Sequence, residues 1–163
     1  MNFVRQTART LHEEHQVNLA LLARVEQVFG PSFQAGRDNG EAGRLAGTLA
    51  HALEGEVNRH FGFEERELFE RMTEAGGGDL AQLLGEEHVS IRAVAAELIP
   101  RARAAAAGAL DTAGWEALRR NALELVERLT AHIGKEDMAM LPLVDDMLDE
   151  DTDRELAMAY ACA

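Results

Sequence analysis

Four long stretches of the sequence repeat apolar residues at steps of three and four, the spacing of one face of an α-helix. They span about residues 2–29, 44–74, 79–107 and 113–148. Asp79 is a suitable residue to cap the third helix at its N-terminus. No stretch alternates polar and apolar residues for long enough to predict a β-strand.

Segments rich in glycine and small polar residues separate these stretches, as is typical of loops. Residues 31–43 form the first and residues 76–78 the second. Pro100 and Pro142 lie inside the third and fourth stretches, where proline should kink a helix or, at Pro100, end it early. Residues 149–163 predict a short extra helix from about Thr152.

Four long amphipathic helices with short connections predict an all-α fold, an up-down-up-down four-helix bundle with a short C-terminal extra helix. The length of 163 residues fits a single domain over residues 1–163.

Each predicted helix places one histidine in line with its apolar stripe, and the second and fourth helices add a glutamate four residues later. These residues are His15, His60 with Glu64, His88, and His132 with Glu136. Residues four apart lie on one face of a helix, so such a pair can bind one metal ion. Polar side chains on a core-facing stripe cost free energy unless they are satisfied. We therefore expect the six side chains to converge inside the bundle.

The same motifs occur twice in the chain. EEH at residues 13–15 returns at residues 86–88, and HxxxE at residues 60–64 returns at residues 132–136. The offset is roughly 72 residues in each case. A duplicated helix pair explains this repeat, and a shared functional constraint explains it equally well.

The net charge and the number of cysteines exclude several kinds of function for this protein. The formal net charge is −13, so bulk electrostatics argue against nucleic-acid or membrane partners. The single cysteine, Cys162, excludes a disulfide within the chain and sites built from several thiolates. No window approaches the roughly 20 apolar residues of a membrane span. The N-terminus turns charged before a signal-peptide core develops, so a cytoplasmic location is expected.

Four imidazoles and two carboxylates without a thiolate suit a pair of first-row transition-metal ions. A carboxylate can bridge two ions about 3.5–4 Å apart, and Glu64 and Glu136 are the candidates for this role. A single zinc ion needs fewer ligands and would leave some of these polar groups without a partner. Calcium and magnesium prefer oxygen ligands. A di-iron centre fits this set best.

The motifs resemble those of the hemerythrin-like family, also called the HHE cation-binding domain family. The matching segments are EEH at 13–15, HFGFEERELF at 60–69, EEH at 86–88 and HIGKEDMAMLP at 132–142. The resemblance implies a four-helix bundle with a non-haem di-iron centre that binds oxygen, peroxide or nitric oxide. It implies six iron ligands: His15, His60, Glu64, His88, His132 and Glu136.

The sequence departs from the oxygen carriers of that family at one position. They have a second histidine on the third helix, one turn after the first, whereas Arg92 occupies that position here. His12, three residues before His15, is a candidate replacement from the first helix. Asp137 is an alternative to its neighbour Glu136 as the carboxylate of the fourth helix.

Several neighbouring residues have an ordinary structural interpretation beside a functional one. Glu13 and Glu86 should face solvent, and Glu67 either does so or supports the site. His51 is expected at the surface or behind the ligands. Four apolar residues either wall an oxygen pocket or belong to the ordinary core: Phe61, Phe63, Phe69 and Met140. Trp115 is expected to pack away from the site.

The sequence thus predicts a cytoplasmic di-iron protein that binds a small ligand for sensing, storage, or iron and redox homeostasis. One alternative is a di-iron enzyme with peroxidase-like, catalase-like or nitric-oxide-processing activity. Another is an interaction protein whose metal state controls an unknown protein partner, and a third is a metal-free structural bundle.

Overall fold

The computed structural model describes residues 2–35 and 39–162 and contains five helices there. They are α1 (Gln6–Phe29), α2 (residues 40–74), α3 (Gly78–Ala106), α4 (residues 112–147) and α5 (Glu150–Ala161). The described residues form no strand. Of the predicted loop at residues 31–43, residues 36–38 lie outside the described residues.

Two of the helices contain π-helical turns, in which a backbone N–H bonds to the carbonyl five residues earlier. In α2 these turns are Glu56–His60 and Glu64–Leu68, separated by the α-helical segment Phe61–Phe63. In α4 the turn is Glu136–Met140. Such turns are rare and often occur at functional sites, and two of these three begin at a glutamate predicted to bind metal.

The first four helices form the predicted up-down-up-down bundle. Helix α2 packs against α3, α3 against α4, α4 against α1, and α1 against α2, which closes the bundle. Helix α5 lies against α1. The all-α prediction is therefore confirmed, including the extra C-terminal helix.

The apolar core is divided into two clusters along the bundle. One contains the C-terminal half of α1 with residues such as Leu53, Ile91 and Leu125. The other contains the N-terminal part of α1 with Phe63, Leu84 and the α5 side chains. The predicted site residues lie on the four bundle helices where these two clusters meet.

Helix α1 begins at Gln6, not at Asn2 as the sequence predicted. The backbone N–H groups of Gln6 and Thr7 donate to the carboxylate of Asp153 on α5, at 2.8 and 2.9 Å. The preceding N–H groups of Val4 and Arg5 donate to Asp145. These distant carboxylates satisfy the first amides of the helix, so contacts more than a hundred residues away fix where it starts.

Other boundaries differ from the prediction by a few residues. Gly77, not Asp79, occupies the cap position of α3, and Pro100 does not end that helix early. Helix α2 begins at Gly40, and α5 begins at Glu150, where the Asp149 side chain accepts from the N–H of Thr152. Among the described helices, none is both long and apolar enough to cross a lipid bilayer.

Candidate metal centre

The six side chains predicted as metal ligands are buried together in the middle of the bundle. Each has at most 1% of its surface exposed. They arrive from four helices: His15 from α1, His60 and Glu64 from α2, His88 from α3, and His132 and Glu136 from α4. The fold therefore places residues that are far apart in the sequence at the same level of the bundle.

The six residues form two overlapping groups. His15 and His60 meet Glu64 and Glu136 in the first group, and His88 and His132 meet the same two glutamates in the second. Within each group, one ligand atom from every residue lies within 4.8 Å of the others. The arrangement can therefore hold two ions that share both carboxylates.

Each carboxylate turns one oxygen toward each group. Glu64 has Oε1 at 3.1 Å from Nε2 of His60 and Oε2 at 3.3 Å from Nε2 of His88. Glu136 has Oε2 at 3.2 Å from Nε2 of His15 and Oε1 at 2.8 Å from Nε2 of His132. This is the orientation needed to bridge two ions.

Every site histidine has its other ring nitrogen, Nδ1, against an outer carboxylate. The pairs are His15 with Asp137 at 2.7 Å, His60 with Glu14 at 3.2 Å, His88 with Glu65 at 2.8 Å, and His132 with Glu87 at 2.9 Å. An ionised carboxylate can only accept, so Nδ1 carries a proton and donates. The inward Nε2 atoms are then free to bind metal, as in carboxylate–histidine–metal arrangements.

The inward-facing atoms lack ordinary hydrogen-bond partners. Nε2 of His15 lies 3.2 Å from Nε2 of His60, and Nε2 of His88 lies 3.1 Å from Nε2 of His132. No donor is assigned to any of the four carboxylate oxygens of Glu64 and Glu136 within the described residues. Buried polar atoms nearly always have a hydrogen-bond partner or a bound ion. These imidazole nitrogens and carboxylate oxygens therefore fit a pair of cations.

Without cations, protons must compensate the charge of the two carboxylates. Burial lowers the pKa of His15, but its hydrogen bond with Asp137 and the adjacent carboxylate of Glu136 outweigh burial and raise that pKa to about 9. Burial likewise lowers the pKa of His88, and the adjacent carboxylates of Glu136 and Glu64 raise it to about 9. Metal binding must therefore displace protons from these imidazoles.

Helix α5 reaches the site through Tyr160. The Tyr160 hydroxyl donates to the Glu14 carboxylate and lies 3.1 Å from Nδ1 of His60. Burial raises the pKa of Glu14, but hydrogen bonds from His60, Tyr160 and Arg59 lower it to about 2. Glu14 is thus held as an anion that orients His60.

Arg92, one turn after His88 on α3, supports the site from outside. Its Nη1 donates to Oε1 of Glu65 at 2.5 Å, and Nε donates to the Val57 carbonyl at 3.3 Å. Glu65 is the carboxylate partner of His88. Arg92 therefore fixes a partner of a predicted ligand.

The two alternative ligands lie outside both groups. Nδ1 of His12 is 3.1 Å from Asp137, and the His12 side chain is 21% exposed. Asp137 binds His12 and His15 at their Nδ1 atoms. The geometry thus brings Glu136, rather than Asp137, to the inward-facing side of the histidines.

The sequence interpretation missed three of the outer carboxylates, Glu14, Glu65 and Glu87. Each is adjacent in sequence to a predicted ligand, so the doubled acidic residues of EEH and EE were the available signal. Three other neighbours are exposed as expected, namely Glu13, Glu86 and His51. Glu67 lies 3.6 Å from Arg71 across one turn of α2 and is not among the carboxylates that bond to a site histidine.

Two aromatic rings fix the orientation of His88. Phe61 stacks on its imidazole with ring centroids 3.8 Å apart and planes at 7°, and Phe69 lies 5.4 Å away. Phe63 and Met140 belong to the neighbouring core cluster. Trp115 packs against Phe33 in the other part of the core, as predicted.

Comparison of the sequence with known proteins tests the resemblance to the hemerythrin-like family. A search of curated proteins finds no match. The profile of the hemerythrin HHE cation-binding domain matches residues 6–144, which include all six converging residues. The resemblance is thereby confirmed, and the chain belongs to the hemerythrin HHE cation-binding family.

Proposed function

We propose that the protein is a non-haem di-iron protein that binds oxygen, peroxide or nitric oxide in sensing, storage, or iron and redox homeostasis. One observation carries the proposal. Four imidazoles held at Nδ1 by outer carboxylates turn Nε2 toward two carboxylates for which no hydrogen-bond donor is assigned. His15, His60, His88 and His132 are the terminal ligands, and Glu64 and Glu136 bridge.

The choice of iron follows from the chemistry of these donors. Imidazole suits iron, zinc and copper, carboxylates suit harder ions, and the described side chains offer no thiolate at the centre. A pair of iron ions supplies redox chemistry and coordination positions open to small ligands. The chain itself orients the imidazoles and excludes bulk water from the buried site.

Elemental analysis and visible spectroscopy of the purified, iron-reconstituted protein test this proposal. We expect about two irons per chain and an absorption band typical of a bridged di-iron centre. The double variant His60→Ala/His132→Ala should lose most of this iron. His51→Ala is the matched control, because His51 is exposed and belongs to neither group. Unchanged iron in the double variant would show that the ligand assignment is wrong.

An enzymatic role is the second candidate, and the position of Arg92 favours it. Arg92 bonds to Glu65 and to the Val57 carbonyl, so α3 contributes only His88 to the groups that can hold metal. The resulting four protein donors per ion leave positions open at both ions. Steady turnover of peroxide or nitric oxide would favour an enzyme, whereas a reversible oxygenated spectrum without turnover would favour a binding protein.

Other sequence-based expectations stay predictions. These are the single-domain organisation, the cytoplasmic location, and the lack of nucleic-acid and membrane partners. A protein partner that reads the metal state would be detected by comparing pull-downs with iron-loaded and metal-free protein.

A further inference from the structure

Two surface clefts lie beside the centre, at corresponding places in the two halves of the bundle. The α1–α2 cleft has a volume of about 550 Å³ and includes Glu14, the outer carboxylate of His60. The α3–α4 cleft has a volume of about 230 Å³ and includes Glu87, the outer carboxylate of His132. Either cleft is a possible route to a site whose ligands are buried.

The clefts differ in charge at equivalent positions of the repeat. The α1–α2 cleft has Asn18 and Glu56 where the α3–α4 cleft, roughly 72 residues later in sequence, has Ile91 and Arg128. Over its whole lining, the α1–α2 cleft has three carboxylates and one cation, Glu14, Glu54, Glu56 and Arg59. The α3–α4 cleft has two carboxylates and two cations, Glu87, Glu127, Arg128 and Lys135. A divalent cation is therefore attracted more strongly by the first cleft than by the second.

Glu56 is the unusual residue of the α1–α2 cleft. It is 5% exposed, and Nδ2 of Asn18 donates to its Oε2 at 2.7 Å. No hydrogen-bond donor is assigned to its other oxygen, Oε1, within the described residues. An unsatisfied buried carboxylate oxygen costs free energy, which indicates a role other than packing.

Backbone geometry gives a second indication for Glu56. The π turn Glu56–His60 joins this residue to a predicted ligand, whereas α4 is α-helical over Thr112–Lys135, the segment that contains His132. Burial raises the pKa of Glu56, and the charges acting on it come from His60, Glu136, His15 and Glu64. Those four residues are the first of the two groups that can hold an ion.

We infer that divalent cations reach the centre through the α1–α2 cleft, and that Oε1 of Glu56 binds them in transit at its inner end. This inference rests on the proposed metal-binding function and extends it to how the ions arrive. Glu56 and Asn18 line the cleft, and Asn18 holds the other oxygen of Glu56, which leaves Oε1 available to a passing ion. An ion leaving Glu56 then meets the His15 and His60 side of the centre first.

Stopped-flow loading of metal-free protein with Co²⁺, followed by its visible absorption, measures this route. For Glu56→Gln we expect uptake roughly tenfold slower than for the wild type, with the same final content of two ions and the same final spectrum. Glu127→Gln is the matched control, since Glu127 lines the α3–α4 cleft and its loss should not slow uptake.

A surface variant tests the route without altering a buried residue. Val17 is 70% exposed and lines the α1–α2 cleft, and Val89 is 68% exposed on α3. Val17→Lys should slow Co²⁺ uptake at low ionic strength. At high ionic strength the rate of uptake should return to that of the wild type, because salt screens the added charge. Val89→Lys adds the same charge elsewhere and should load at the wild-type rate.

The outcomes separate this inference from the function on which it rests. Wild-type rates in both Glu56→Gln and Val17→Lys would overturn the route. A final content of one ion in Glu56→Gln would make Glu56 a permanent ligand and overturn its transit role. Failure of the wild type to bind any Co²⁺ would overturn the metal centre itself, and this inference with it.

Discussion

The outer carboxylates of the centre differ in how they are held. Glu87 accepts from His132 and forms an ion pair with Lys135 at 2.9 Å. Its neighbour Glu86 is exposed and accepts only from Gln82 among the described contacts. The EEH motif therefore contains one residue that orients a ligand beside one that faces solvent.

This contrast predicts that, of two isosteric substitutions, only one weakens metal binding. Glu87→Gln should weaken metal binding by roughly 10- to 100-fold, because a neutral amide orients His132 less firmly than a carboxylate does. Glu86→Gln should bind metal like the wild type. Titration of both variants with Co²⁺ against a competing chelator measures the two affinities, and equal values would contradict the assigned role of Glu87.

The histidine pKa values predict how the stability of the metal-free protein depends on pH. His15 and His88 have pKa values of about 9 in the folded protein, above the ordinary value of 6.5. The folded state binds these protons more tightly, so the stabilisation is complete below about pH 6.5 and is lost as pH rises through about 9.

Urea unfolding with a chelator present should therefore show a free energy of unfolding that falls between pH 6.5 and pH 9. In the His15→Gln/His88→Gln variant this dependence should flatten. Metal affinity should change in the opposite direction and rise over the same range, since fewer protons remain to be displaced. A metal-free stability that stays constant or rises with pH would contradict the protonated site.

At the scale of helices, sequence periodicity predicts the elements but not their irregularities. The stripes of α1 to α4 specify which face of each helix is buried, and the six site residues follow from those stripes. The π turns at Glu56–His60, Glu64–Leu68 and Glu136–Met140 cannot be read from these stripes, because a step of four residues fits an α-helical turn as well as a π turn. The turn Glu56–His60 changes which residues face inward, so the buried position of Glu56 was missed.

The local sequence pattern likewise cannot predict a helix end that is fixed by a distant residue. The start of α1 depends on Asp153, which is 8% exposed and lies on α5. Asp153→Ala should lower the free energy of unfolding by about 1–2 kcal/mol, the usual cost of removing a capping carboxylate.

Asp151→Ala is the matched control, because its exposed carboxylate pairs only with Arg154 among the described contacts. Urea unfolding monitored by circular dichroism compares the two variants. A similar loss of stability in both would show that Asp153 does not act through the start of α1.

At the scale of the whole molecule, two apolar clusters flank one polar layer. The layer contains charged groups in a region almost without solvent contact. Ions that bind only the folded state stabilise it by mass action, by about 2.7 kcal/mol at a free concentration 100 times the dissociation constant.

Two equivalents of Fe²⁺ or Co²⁺ should therefore raise the melting temperature, and a chelator should return it to the metal-free value. Differential scanning calorimetry under anaerobic conditions measures this shift. The His60→Ala/His132→Ala variant should show little response, while His51→Ala should respond fully. An equal rise in all three proteins would indicate nonspecific binding to the acidic surface.

The contacts around the histidines also connect the two halves of the chain. Asp137 of α4 holds His15 of α1, and Glu65 of α2 holds His88 of α3. Each helical hairpin thus supplies two histidines and one shared glutamate, yet it depends on the opposite hairpin for one outer carboxylate and for the second shared glutamate. A polypeptide of half this length could complete such a centre only by associating with an identical copy around a twofold axis.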